Sequence, residues 1–244
     1  MSIAAIIPAR YGSTRFPGKP LAKLAGRPMI ERVYARVSRA RLPEEVWVAT
    51  DDARILAAVE AFGGQALMTS AEAPTGTDRI AEALATIKTE LVVNVQGDEP
   101  LIEPRIIDRV LEALRDDPES DVVTMAHPIT SHRQYLSPDV VKVVRDGRGR
   151  ALYFSRSPLP YGLEPGGDLG LRHLGIYAYR RAAVQAFAAA GPGACESAER
   201  LEQLRFLELG MRIRVLDGPA HGPAVDRPED VAEVERLLAE LGEA

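Results

Sequence analysis

Short apolar runs rich in Val and Ile alternate along the chain with longer stretches whose apolar positions recur at helical spacing. Ile3–Ile7, Val46–Ala49, Leu91–Val95 and Val122–Met125 are continuous apolar runs, which predicts strands in a sheet covered on both faces. Met29–Arg39, Ala53–Phe62, Arg79–Ile87 and Arg105–Leu114 show the helical period. Pro28 and Pro104 suit first helical turns, and Gly63-Gly64 suits a helix stop. This β-α-β-α rhythm predicts an α/β fold with a doubly wound, mostly parallel sheet between two helical layers.

The rhythm changes after about Thr130. Val140–Arg145 and Ala151–Phe154 flank Asp146-Gly147-Arg148-Gly149, which predicts a hairpin and a smaller hairpin-containing subdomain. Leu171–Tyr179 is a further strand candidate. Helices are expected over Ala182–Ala190 and Ala198–Leu209, then a strand over Ile213–Leu216 and a last helix from Pro228 to Leu241. The Pro- and Gly-rich stretch Ser157–Gly170 reads as a mobile loop. No repeat, low-complexity tract or linker divides the chain. The expectation is therefore one domain over residues 1–244, changing character at about residue 130.

The bulk composition narrows the choice of partners. The chain has 244 residues, with 30 Lys plus Arg against 35 Asp plus Glu and a formal charge of −5. A mildly acidic chain offers no general field for a polyanion, so nucleic acid is not an expected partner. The single cysteine, Cys195, excludes an intramolecular disulfide and a Cys-rich zinc site. No segment approaches the roughly 18 apolar residues of a membrane span, and no signal peptide is evident, so a soluble cytoplasmic protein is expected.

Candidate chemistry follows the first strand. Arg10, Arg15 and Lys19, with Ser13, Thr14, Gly12 and Gly18, put three cations, two hydroxyls and two glycines within ten positions. Glycines let the backbone approach phosphates, and the cations supply charge-assisted hydrogen bonds. An exposed basic turn is the ordinary alternative. Neither G-x-x-x-x-G-K-[ST] nor G-x-G-x-x-G occurs, so a nucleotide would bind by another geometry. Asp98 ends the strand at Leu91–Val95, near the sheet edge where this loop would lie. One or two carboxylates plus substrate phosphates suffice for magnesium. A turn or cap role is the alternative for Asp98, and helix capping for Asp226.

Together these residues resemble the 3-deoxy-manno-octulosonate (Kdo) cytidylyltransferase family, within the Rossmann-like nucleotide-diphospho-sugar transferase fold. The resemblance rests on I-I-P-A-R-Y-G-S-T-R-F-P-G-K-P-L (6–21), V-A-T-D (48–51), G-T-D-R (76–79), V-N-V-Q-G-D-E-P (93–100), V-K-V-V (141–144), A-L-Y-F-S-R (151–156), R-H-L-G-I-Y-A-Y-R (172–180) and L-E-Q-L-R (201–205). These segments are spread over nearly the whole chain. The first is shared by several sugar nucleotidyltransferases, whereas 151–156, 172–180 and 201–205 are more specific to the Kdo branch.

The resemblance implies transfer of CMP from CTP to Kdo, with Mg2+ as cofactor, for lipopolysaccharide synthesis. It places Arg10, Gly12, Ser13, Arg15 and Lys19 on the triphosphate, and Gly76, Arg79 and Gln96 around the cytidine. Asp98 and Asp226 would hold metal, and Lys19, Asp98 and Arg15 would carry the catalysis. Arg156, His173, Tyr177, Glu202 and Gln203 would form the acid-sugar pocket. A homodimer is implied as well. The segment around Asp226 departs from the family at Ala224 and Arg227, and 163–170 has no clear match. A sialate or 8-amino-Kdo enzyme, or a non-catalytic nucleotide-binding module, therefore remains open.

Overall fold

The computed structural model describes residues 1–13, 15–162, 170–219 and 222–243. Its strands are β1 (Ile3–Ala9), β2 (Lys23–Leu24), β3 (Arg27–Pro28), β4 (Glu45–Thr50), β5 (Gln65–Met68), β6 (Leu91–Asn94), β7 (Val122–Pro128), β8 (Lys142–Arg145), β9 (Ala151–Ser155), β10 (Leu171–Arg180) and β11 (Ile213–Asp217). Its helices are α1 (Met29–Val37), α2 (Ala53–Ala61), α3 (Gly76–Ala83), α4 (Pro104–Asp116), α5 (His132–Leu136), α6 (Arg181–Ala190), α7 (Ala194–Glu199), α8 (Gln203–Glu208) and α9 (Asp230–Glu240).

The central sheet runs β11-β7-β10-β6-β1-β4-β5. All its neighbours are parallel except β10, which is antiparallel to both β6 and β7. Past the end of β6, the first residues of β10 pair with β8, which forms the predicted hairpin with β9. The continuous apolar runs have their expected cause. Ile3, Ala5 and Ile7 pack into one core with α1, α2 and α4, while Ala4 and Ile6 enter a second core with α3, α6 and α8. Because side chains alternate across a strand, both registers of β1 must be apolar.

Three departures from the sequence reading have local reasons. β5 was not anticipated: it is a four-residue edge strand with exposed ends and no alternating pattern. The helix expected from Arg79 starts at Gly76, because Thr75 Oγ1 caps it by accepting from Asp78 N–H at 3.1 Å. The single helix expected over Ala198–Leu209 is two, α7 and α8, broken where Arg200 adopts a left-handed φ of 55°. Residues 163–169 of the expected mobile loop lie outside the described residues.

Parallel β1, β4 and β6 direct their carboxyl ends to one edge, which is where ligands of open α/β sheets bind. Since β10 runs the other way, its early residues lie at that same edge. There it bulges: Leu174 faces Met125 but Tyr177 faces Thr124. Thr124 Oγ1–H fills the bulge by donating to Ile176 O at 2.7 Å.

Candidate active site

A cleft of about 590 Å³ opens at this edge. One wall is the loop after β1, with Arg10, Ser13, Arg15 and Lys19. The floor is Gln96, Gly97 and Asp98 after β6. The far wall is Thr75, Gly76 and Arg79 of α3 with Glu196, Ser197, Arg200 and Glu202, and Asp226 closes one end.

Local interactions shape the cationic loop. Gly18 takes φ 69°, and its N–H donates to Tyr11 O at 3.0 Å. A Cβ there would lie 3.1 Å from the Tyr11 ring, so glycine is required twice over. Phe16 N–H donates to Ser13 Oγ at 3.3 Å, holding the turn. The Arg54 guanidinium stacks 3.4 Å from the centre of the Tyr11 ring. Gly12 is exposed, with open space where a Cβ would stand, and does not line the cleft.

Lys19 organises the acidic end. Its Nζ donates to Asp98 Oδ2 at 2.6 Å and reaches Asp226 Oδ1 at 3.4 Å, while Arg15 meets that same oxygen at 3.3 Å. Val225 N–H donates to Asp98 O at 2.9 Å, so a backbone link holds the two carboxylates together. Burial pushes the Asp98 pKa up, and Lys19 opposes the shift. The cap alternative for Asp226 does not hold: Asp230 accepts from the N–H groups of Asp226 and Arg227 at 2.8 and 2.7 Å. Two partly exposed carboxylates already gathered around one ammonium form the oxygen donor set that a hard dication uses with phosphate and water.

Arg79 lines the cleft yet is buried and committed. It donates to Asp51 Oδ2 at 3.0 Å, to Thr69 Oγ1 and to Ser70 O at 3.2 Å. Asp51 also accepts from Tyr11 N–H at 3.3 Å, so the pair buttresses the cationic loop from behind.

Of the five sugar-pocket candidates, Glu202 lines the cleft. It accepts from Thr77 N–H at 3.3 Å and Thr77 Oγ1–H at 3.1 Å, and burial raises its pKa. Arg156 sits beside the cleft rather than in its lining, with its guanidinium on three carbonyls: Glu199 O at 3.0 Å, Pro138 O at 2.9 Å and Arg200 O at 3.5 Å. His173 packs edge-on to Phe154 and against Tyr177, with Nε2 3.0 Å from Thr124 Oγ1. Thr124 gives its own proton to Ile176 O, so His173 donates from Nε2. Burial of the ring among these groups lowers its pKa to about 3. Tyr177 is buried and stacked on Tyr179, and Gln203 is buried in α8.

Several residues at the site had no role in the sequence reading. Asp51 stood at a strand end inside the quoted V-A-T-D segment, a signal that was available. Lys142 is fully buried, and its Nζ donates to Ser137 O, Val140 O and Arg156 O, which pins the segment carrying Arg156. Arg205 is buried, bonded to Glu196 through two nitrogens at 2.6 Å each and to Asp78 at 3.0 Å. It thereby ties α3, α7 and α8 into one wall.

The family described as Cytidylyltransferase matches residues 4–213 of this chain. The chain belongs to the cytidylyltransferase family. A 3-deoxy-manno-octulosonate cytidylyltransferase of Geobacter sulfurreducens is 51% identical, over 96% of this chain and 98% of its own. One from Escherichia coli is 46% identical, over 96% of this chain and 95% of its own. A CMP:2-keto-3-deoxy-manno-octonic acid synthetase, solved in complex with CTP, superposes with a TM-score of 0.94 at 45% identity, covering 99% of this cytidylyltransferase and 100% of that chain. A 4-diphosphocytidyl-2C-methyl-D-erythritol synthase from Anaerococcus prevotii, with a TM-score of 0.65 and 20% identity, shares the fold. The motif resemblance to the Kdo branch is thus borne out along the whole cytidylyltransferase chain. No helix among its described residues is long and apolar enough to cross a membrane.

Proposed function

We propose that this cytidylyltransferase transfers CMP from CTP to the anomeric hydroxyl of Kdo, releasing pyrophosphate. The observation that carries the reading is the cleft itself, where the Arg10–Lys19 loop faces Asp98 and Asp226 across the carboxyl ends of β1 and β6. Full-length identity of 46–51% to proteins bearing that name supports the choice of sugar and nucleotide.

In this reading, Arg10, Ser13, Arg15 and Lys19 hold the triphosphate. Lys19 exchanges its contacts with Asp98 and Asp226 for phosphate oxygens. The sugar oxygen attacks the α-phosphorus, a new O–P bond forms, and the α–β phosphoanhydride breaks toward pyrophosphate. Alignment and charge stabilisation supply most of the acceleration in such transfers. Lys19 and Arg15 neutralise charge gathering on the leaving group. Asp98 and Asp226 would hold magnesium. A dication held there would supply acidification of the attacking hydroxyl and neutralisation of phosphate charge.

Gly76, Arg79 and Gln96 border the cytidine in this reading. Glu202 takes sugar hydroxyls, and Arg156, His173, Tyr177 and Gln203 complete the sugar side around it. Arg156 offers a planar fork for the sugar carboxylate. Two copies pair through the hairpin-bearing half, where Leu152 of β9 is exposed. The product is an activated sugar for lipopolysaccharide.

The test is pyrophosphate release from purified protein with CTP, Kdo and magnesium, omitting each in turn and offering UTP, ATP, sialic acid or 8-amino-Kdo instead. Release requiring CTP, Kdo and magnesium together is expected. Release only with another sugar would move the specificity, and none with any pair would sink the enzyme reading.

A further inference from the structure

Beneath the cleft floor a line of polar groups joins Gln96 to Glu202 through Asn94, Tyr179 and Thr77, three residues that none of the roles above uses. Gln96 Nε2 lies 3.2 Å from Asn94 Oδ1. Asn94 Nδ2 lies 3.3 Å from the Tyr179 hydroxyl. That hydroxyl is 3.3 Å from Thr77 Oγ1, which is 3.1 Å from Glu202 Oε1. Asn94, Thr77 and Tyr179 are at most 1% exposed, whereas Gln96 and Glu202 reach the cleft. The line therefore leaves the cleft on one side, crosses the core through β6, β10 and α3, and returns to the cleft on the other.

Its direction is fixed by chemistry at one end. Glu202 accepts Thr77 N–H on Oε2, and Thr77 Oγ1–H donates to its Oε1. A hydroxyl has one proton, so Thr77 Oγ1 accepts from Tyr179. Tyr179 has then spent its own proton and accepts from Asn94 Nδ2. Asn94 turns Oδ1 to Gln96, which donates from Nε2. Each polar atom is satisfied in one sense along the line, and reversing a member would set acceptor against acceptor in a buried layer, where an unmet group is costly.

We infer that the Glu202–Thr77–Tyr179–Asn94 relay is a specificity device that locks the Gln96 amide with Nε2 inward and Oε1 as the branch left for a ligand. Gln96 then selects a ligand group that donates a hydrogen bond at that point. Two donors fit: the exocyclic amine that separates cytosine from uracil, or a sugar hydroxyl. Thr77, Tyr179 and Asn94 act as positioning residues. The inference rests on the cytidylyltransferase reading for the identity of the ligands but not for the relay itself.

Thr77→Val removes the hydroxyl at constant shape, whereas Thr77→Ser keeps it. Calorimetric titration with CTP and with UTP, together with KM for Kdo, is compared for the two. The expected result is a loss confined to Thr77→Val. If Gln96 reads the base, its CTP-over-UTP preference falls about tenfold, and if Gln96 reads the sugar, the Kdo KM rises about tenfold with CTP binding unchanged, each corresponding to ~1.4 kcal/mol. Tyr179→Phe cuts the same line at its middle and repeats the measurement should Thr77→Val fold poorly.

Equal ligand behaviour of the Val and Ser variants, with only stability changed, would overturn the inference. If the protein binds neither ligand, the functional reading falls, and the relay is then read from hydrogen exchange of the Gln96 side-chain amide. Slow exchange in the unsubstituted protein and fast exchange in Thr77→Val upholds the relay, and equal exchange removes it.

Discussion

Lys19 and Asp98 form a 2.6 Å ion pair at the edge of the cleft, and the same ammonium reaches Asp226 at 3.4 Å. With Arg15 on the same Asp226 oxygen at 3.3 Å, two cations balance two neighbouring carboxylates, one of them raised in pKa by burial. The arrangement is self-balanced without ligand, and in the proposed reaction it opens when phosphate oxygens compete for Lys19.

Asp98→Asn keeps the shape and deletes the charge. It is expected to lower kcat by about 10²–10³-fold, or roughly 2.7–4 kcal/mol, in a steady-state pyrophosphate assay. Turnover near that of the unsubstituted enzyme would remove Asp98 from the mechanism.

Arg79 and Asp51 support the cationic loop from behind through Tyr11 N–H. Asp51→Asn weakens a charge-assisted bond by about 1.5–3 kcal/mol, so the CTP KM should rise roughly tenfold or more while the Kdo KM stays level. A selective change in the Kdo KM would contradict the assignment.

For Arg156→Ala the opposite split is expected, with a higher Kdo KM and unchanged CTP affinity in calorimetry. Its guanidinium sits on carbonyls of Pro138, Glu199 and Arg200, all in the half of the chain to which the proposed function gives the sugar. Loss of CTP affinity alone would overturn this placement.

The neutral His173 gives stability a pH dependence. Its pKa is about 3 when folded, against the ordinary 6.5. Above pH 6.5 both states are neutral and nothing is lost. As pH falls below 6.5 the unfolded state gains a proton that the folded state refuses, so stability declines progressively toward pH 3. At pH 5 the loss is on the order of 1–2 kcal/mol. Denaturant titrations should show His173→Gln with a flatter acid limb between pH 6.5 and 5, and parallel limbs would refute the assignment.

Arg205→Met leaves Glu196 and Asp78 without their buried cation. Removing one partner of such a set costs about 3–5 kcal/mol, which for a chain of this size lowers Tm by roughly 6–20 °C. A shift under roughly 2 °C in a thermal melt would show that the network contributes little.

The reasons for success and failure in reading the sequence are physical. Doubly buried strands write an unbroken apolar run, so β1, β4, β6 and β7 were visible. β5 was not, because an edge strand of four residues needs no pattern. The break between α7 and α8 was invisible because a left-handed Arg200 lacks the glycine that normally marks one. At the site, Lys19, Asp98 and Asp226 lie on loops at strand ends, where topology predicts convergence. The packing of His173 and Tyr177 among aromatic rings, and the line from Gln96 to Glu202, depend on the bulged, reversed β10. No local pattern announces which strand will lie between β6 and β7.

That reversed strand also sets the order in which the molecule can be made. β6 finds its second neighbour only when β10 has been synthesised, roughly 80 residues later, a delay of several seconds or more at ~5–20 residues per second. Until then a largely apolar strand keeps a bare hydrogen-bonding edge on the ribosome, the kind of edge that recruits other chains. The seam between β10 and β6 therefore closes late, ahead only of β11 on β7, and the nascent protein is vulnerable to aggregation while its first 130 residues are already made.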